Sequence, residues 1–153
     1  MNILRRVLSR LSGSVSDPVF GSMAQQDGHW TGQGTWEHSP SPFSITVYRT
    51  GAVPSQVDRA VFQALARDYV ALRSGLQVAL HGLWDANRRK TGRQPVDFGG
   101  ALDLWARITL QGVGLYPDGH AELIYGFEDL GYLAGAFIVS VRDGQVEPVE
   151  YVE

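Results

Sequence analysis

The chain contains no cysteine, and this absence removes several kinds of chemistry at once. Without thiols the protein forms no disulfide, no thiolate metal site and no cysteine nucleophile. A chain that needs no disulfide fits a reducing compartment, so we expect a cytoplasmic protein.

Positive charge is also scarce. The 153 residues include 13 Lys and Arg against 16 Asp and Glu, a net charge of −3. Affinity for nucleic acid depends on many cationic contacts to phosphate, so nucleic-acid binding is excluded as the main function. Arg5, Arg6 and Arg10 precede every acidic residue, so residues 17–153 hold 10 basic and 16 acidic residues, a net charge of −6. This charge favours a basic partner.

Long apolar runs are missing too, and no stretch reaches the length of a transmembrane helix. Residues 1–14 predict a short amphipathic helix, whose apolar positions recur at helical spacing: Ile3, Leu4, Val7, Leu8 and Leu11. The arginines between them interrupt the apolar run that a secretory signal peptide requires. Two roles stay open for the segment: docking on the protein's own body, or peripheral membrane contact through residues 1–11.

Three Asp-Gly pairs predict β-hairpins, because Asp and Gly tolerate the positive φ of a type I′ turn. They are Asp27-Gly28, Asp118-Gly119 and Asp143-Gly144. The first predicts Gln26 opposite His29, Met23 opposite Gly32 and Val19 opposite Trp36. The second predicts Leu110 opposite Phe127 and Gly112 opposite Tyr125. In the third, Phe137, Val139 and Val141 face Val146 and Pro148, and the proline places the last strand at a sheet edge.

Strict alternation after the first turn predicts a half-buried strand. Trp30, Gly32, Gly34 and Trp36 share one face, and His29, Thr31, Gln33, Thr35 and Glu37 share the other. We therefore predict that the two tryptophans lie in the core and do not form an aromatic clamp for a ligand. Residues 43–48 predict a further strand.

One helical stretch separates the strand groups. Ser55 can cap it, Asp58 suits its first turn, and Arg88, Arg89 and Lys90 suit its last. Ser74-Gly75 predicts a bend or a second helix, and a linker follows over residues 91–100. The fold class is therefore α+β: a mainly antiparallel sheet of six to seven strands with one or two helices packed on one face. After the N-terminal helix, residues 15–153 form a single domain; the strand order stays open.

Signals for catalysis are few. The G-x-S-x-G nucleophile turn is absent, and His81 and Asp85, four residues apart on the helix, read as a surface pair. His29, His120 and Glu122 could hold zinc if the fold brought them together. We expect no enzyme activity and no cofactor.

Two surfaces suit protein contacts. Residues 128–135 form a loop in which Leu130, Tyr132 and Leu133 follow the acids Glu128 and Asp129. The alternative is that these side chains fold back as a lid on the core. The second surface is the outer sheet face, where the alternation of residues 104–111 predicts an exposed Trp105 beside Arg107, a composition that binding hot spots favour.

The chain resembles a group of small uncharacterised bacterial domains. The shared features are an Asp-Pro-x-Phe-Gly strand, a Trp-x-Gly strand and a final hairpin, here Asp17 to Gly21, Trp30-Thr31-Gly32 and the residues around Asp143-Gly144. The resemblance implies an immunity or accessory role beside a bacterial toxin, and it carries over no catalytic residue. We therefore expect a non-enzymatic cytosolic bacterial protein-interaction domain. The alternative is a domain that binds a small molecule or metal and has hydrolytic activity.

Overall fold

A computed structural model describes residues 13–49, 52–91, 100–127 and 135–152. Eight strands form one sheet, in the order in which they occur along the chain. They are β1 (Ser14–Asp17), β2 (Gly21–Gln26), β3 (His29–Trp36), β4 (Ser39–Val47), β5 (Ile108–Leu115), β6 (Ala121–Phe127), β7 (Ala136–Arg142) and β8 (Gln145–Val152). The helices α1 (Gln56–Thr91) and α2 (Ala101–Trp105) lie between β4 and β5 in the chain. The α+β class is confirmed, with one strand more than the upper expectation.

The additional strand comes from a turn at the Asp-Pro-x-Phe-Gly sequence. Asp17 Oδ1 accepts hydrogen bonds from the backbone N–H groups of Val19 (2.8 Å) and Phe20 (3.1 Å). Gly21 adopts a φ of +71°, so the chain reverses and β1 pairs with β2. The expected strand through Val19, and its pairing with Trp36, are therefore wrong.

The first and third Asp-Gly hairpins are confirmed. Asp27 and Gly28 have φ values of 52° and 84°, and Gln26 lies opposite His29. Asp143 and Gly144 have φ values of 49° and 74°, and Val139 lies opposite Pro148. The proline lies in β8, which is an edge strand as predicted. Proline is tolerated at a sheet edge because an edge strand pairs on one side only, so its missing N–H need not break a ladder hydrogen bond.

The register of the second hairpin differs from the prediction. Ile108 lies opposite Phe127, and Leu110 lies opposite Tyr125. Only Gly119 in this turn has a positive φ, and Tyr116 bonds to His120 across it, so the loop is one residue longer than a type I′ turn. A bulge between Leu110 and Gly112 adds a further shift, and bulges leave no signal in the alternation pattern.

A single helix of 36 residues covers one face of the sheet, without a break at Ser74-Gly75. Ser55 caps its start as predicted, since Ser55 Oγ accepts the Asp58 N–H (3.3 Å). The Asp58 carboxylate also accepts the Ser55 N–H (2.7 Å), which completes a reciprocal pair. Because α1 leads the chain back across the sheet, β5 pairs with β4 in parallel, the one parallel pair among the described strands.

The core lies between α1 and the inner sheet face. Trp30 and Trp36 are each 7% exposed, and the Trp36 ring lies 5.5 Å from Phe62 and 5.1 Å from Tyr69 of α1. The prediction that both tryptophans are core residues is confirmed. Residues 1–12 lie outside the described residues, and with them the expected N-terminal helix.

Candidate functional site

His29 and His120 belong to a row of four aromatic rings at one end of the sheet. The ring centroids of His29 and Tyr48 lie 4.9 Å apart, those of Tyr48 and Tyr116 4.5 Å, and those of Tyr116 and His120 4.2 Å. Two tyrosine rings therefore lie between the two histidines. Zinc binds imidazole nitrogens at about 2 Å, so His29 and His120 do not share a metal ion.

The row forms because β4 and β5 run in parallel and end together, which brings Tyr48 beside Tyr116. Gly114 supplies the space: a Cβ atom there would lie 3.1 Å from Cε2 of Tyr48. Sequence reasoning missed both tyrosines, because no local pattern reveals that the strands before them are neighbours.

The polar groups along this row bond to one another. Tyr116 donates to Glu122 Oε2 (2.7 Å); burial raises the pKa of Tyr116, and the Glu122 carboxylate raises it further. Asp118 accepts from Arg142 (2.8 Å) and contacts the His120 ring, and these two bonds hold the pKa of Asp118 well below its usual range. The carboxylates at this corner thus already have partners within the fold.

No three His, Cys, Asp or Glu side chains among residues 13–49, 52–91, 100–127 and 135–152 lie close enough to hold a metal ion. His81 and Asp85 form the expected surface pair, with 3.7 Å between Nδ1 and Oδ2.

Trp105 and Arg107 lie outside the sheet, so the prediction that they sit on its outer face is wrong. Trp105 is the last residue of α2, half-buried, with its ring 5.6 Å from that of Tyr125. Arg107 follows in an exposed turn, and its N–H bonds to the carbonyl of Leu104. The alternation that suggested a strand results from Leu104, which α2 packs fully into the core. Loop residues Glu128, Asp129, Leu130, Tyr132 and Leu133 lie outside the described residues.

The face of β1–β5 that points away from α1 carries no charged side chain in the described structure. We call this surface the neutral face. The exposed Pro42 lies at the border of this face, where the β3–β4 register shifts. Alternation and register place thirteen further side chains on it: Ser14, Ser16, Ser22, Ala24, Gln26, His29, Thr31, Gln33, Thr35, Ser44, Thr46, Thr109 and Gln111. All but Ala24 and His29 end in a hydroxyl or an amide, so the neutral face is polar without charge.

A cleft of about 150 Å³ opens on the other side of the sheet, between α1 and the tips of two hairpins. Val61, Leu65 and Leu72 of α1 and Val141 of β7 give it apolar walls, and Asp68 and Asp143 stand on its rim. Asp68 is bonded to its neighbour Arg67 (2.8 Å), which lowers the pKa of Asp68. We call this feature the hairpin cleft; sequence reasoning missed it because three distant segments form it.

The β7–β8 hairpin contributes Asp143 to the rim of the hairpin cleft and carries two further acids, whose side chains lie on the outer face of the sheet. Asp143, Glu147 and Glu150 are all exposed on it, and so are Val149 (47%) and Val152 (42%). Acidic and apolar groups therefore lie next to each other along this edge.

No helix among the described residues is long and apolar enough to cross a membrane. Comparison of the chain with family models, curated proteins and solved structures finds no match.

Proposed function

We propose that the protein is a non-enzymatic protein-interaction domain that binds a basic partner protein at the hairpin cleft. The observation that carries the proposal is an apolar cleft with carboxylates on its rim. A cleft of about 150 Å³ has room for one or two aliphatic side chains of a partner. The rim carboxylates of Asp68 and Asp143 then attract lysine or arginine beside that side chain.

The charge of the chain supports the same kind of partner. Residues 17–153 carry a net charge of −6, and three of their acids lie on the β7–β8 hairpin. An acidic surface steers a basic protein during encounter and suppresses acidic competitors. A cytosolic immunity or accessory role beside a bacterial toxin is the specific form of this proposal.

Co-expression with the product of the neighbouring gene, followed by titration calorimetry, tests the proposal. We expect Asp68→Lys combined with Asp143→Lys, the two acids that line the cleft, to weaken binding by at least about tenfold, because two attractive charges become repulsive. The matched control is Glu37→Lys, an exposed acid in the turn at the other end of the sheet. Ala64→Phe, which fills the cleft from α1, tests the apolar contact separately.

Two results would overturn the proposal. One is unchanged affinity in both the charge reversal and the Ala64→Phe variant, since the cleft would then have no part in the complex. The other is turnover of a substrate by a protein that forms no stable complex.

A further inference from the structure

The neutral face differs from an ordinary solvated sheet face in its charge. About 25–35% of the surface residues of a soluble domain are charged, so thirteen positions should hold about three or four charges. None of the thirteen does, whereas Glu122, Arg142, Glu147 and Glu150 occupy outward positions on the neighbouring strands β6–β8. Charge is thus confined to one half of the outer surface of the sheet.

We propose that the neutral face binds the same face of a second copy of this chain, which makes the protein a homodimer. A two-fold interface brings identical patches together, so the patch must complement itself. Hydroxyl and amide groups both donate and accept hydrogen bonds, and they can therefore pair with their own kind. Between two copies that each carry a net charge of −3, a face without charged side chains adds no local repulsion.

The polar, uncharged composition of the face also argues against two other occupants, a basic partner protein and the N-terminal segment of the chain. A basic partner gains no electrostatic attraction at a neutral surface and is drawn instead to the acidic hairpin. The first twelve residues carry five large aliphatic side chains, which need an apolar surface. The neutral face offers them hydroxyls and amides, with Ala24 as its one aliphatic side chain.

The size of the face meets the requirement of a stable interface. Strand β3 has eight residues and so runs for about 26 Å, and five strands at about 4.8 Å spacing span about 24 Å. Because β1 and β2 are shorter than β3, the five strands together present about 550 Å² per copy and about 1,100 Å² in total, just above the roughly 1,000 Å² that a specific interface needs.

Sedimentation of the full chain between about 1 and 200 μM tests the proposal, because an interface of this size gives a concentration-dependent dimer. We expect the mass to rise from that of one chain to that of two. Ser44→Arg, at the exposed centre of the face, should raise the dissociation constant at least about tenfold, since it buries a charge against its own copy. Gln63→Arg, exposed on α1, is the matched control and should leave the dimer unchanged.

A crosslink provides a readout that does not depend on disrupting the dimer. The chain has no cysteine, so Ser44→Cys introduces a unique thiol. A short bismaleimide should join two copies through Ser44→Cys and fail to join them through Gln63→Cys. A wild-type chain that stays monomeric overturns the proposal, whatever else covers the face. So does a dimer that survives Ser44→Arg while that variant keeps its native circular dichroism. Neither result bears on the hairpin cleft, so this inference and the proposed function can fail separately.

Discussion

Replacing each tryptophan of β3 by phenylalanine separates packing from hydrogen bonding at two equally buried positions. Trp30 and Trp36 are both 7% exposed, so each substitution removes about 40 Å² of apolar contact, worth about 1 kcal/mol. Trp30 Nε1 donates to the Ala52 carbonyl at 2.6 Å, and losing this bond adds about 1 kcal/mol. Trp36 Nε1 is buried and has no acceptor among the described residues.

An unpaired buried N–H destabilises the fold by about 1–3 kcal/mol, and phenylalanine removes that N–H at position 36. We therefore expect Trp36→Phe to leave the free energy of unfolding nearly unchanged and Trp30→Phe to lower it by about 2 kcal/mol. Trp36→Ala, by contrast, removes a ring in contact with Phe43, Phe62 and Tyr69 and should cost about 3–5 kcal/mol.

Chemical denaturation followed by far-ultraviolet circular dichroism measures these differences without depending on tryptophan fluorescence. All variants need the same protein concentration, because self-association adds to apparent stability. Gln63→Ala, exposed on α1 and away from the neutral face, is the control and should stay within about 0.5 kcal/mol of wild type. A larger loss for Trp36→Phe than for Trp30→Phe would refute the hydrogen-bond reasoning. Wild-type stability of Trp36→Ala would refute the core placement itself.

Three further predictions concern other parts of the fold. The hydroxyls of Tyr69 and Tyr125 are bonded to each other in the core (2.7 Å), so each change to phenylalanine should cost about 1–2 kcal/mol, and the double variant clearly less than the sum in a double-mutant cycle. Burial tends to raise the pKa of Asp17. The hydrogen bonds that it accepts from Arg59 of α1 and from two backbone N–H groups outweigh burial and lower this pKa below its usual 3.8. The contribution of the Asp17 carboxylate to stability is therefore fully present above about pH 3.8 and is lost as the pH falls through the lowered pKa. Asp17→Asn should flatten the acid limb when the free energy of unfolding is measured against pH. Gly21 and Gly135 both have positive φ (71° and 76°), yet a Cβ meets nothing at Gly21 and collides with an edge-strand carbonyl at Gly135. Alanine should thus cost about 1–2 kcal/mol at Gly21 and clearly more at Gly135, measured by thermal unfolding.

The features that the sequence predicted correctly depend on residues close together in the chain. The turns at Asp27-Gly28 and Asp143-Gly144 follow from positive φ at two adjacent residues. The cap that Ser55 provides for α1 follows from its position just before the helical pattern. The burial of Trp30 and Trp36 follows from the period of two in a strand. In each case the energy that decides the structure acts within a few residues.

The parts of the site that the sequence did not reveal are contacts between distant segments. Tyr48 and Tyr116 stack because a 36-residue helix returns the chain and aligns β4 with β5 in parallel. The hairpin cleft takes its walls from α1 and its rim from two separate hairpins. Such pairings depend on which surfaces bury the most apolar area together, and no short sequence pattern encodes that choice.

At residues 104–107 the local sequence pattern and the tertiary packing favour different secondary structures. The alternation of Leu104 and Trp105 is compatible with a strand, yet the chain forms the short helix α2 there, and Leu104 becomes fully buried against the core. Packing that one side chain outweighs a weak local preference, because intrinsic strand propensity spans only about 1 kcal/mol, whereas burying a leucine is worth about 2 kcal/mol. By itself the sequence determined two of the three Asp-Gly turns, the helix start and which residues of β3 face inward. Only the tertiary structure decided strand pairing, the aromatic row and the hairpin cleft, since these depend on burial shared among segments far apart in the chain.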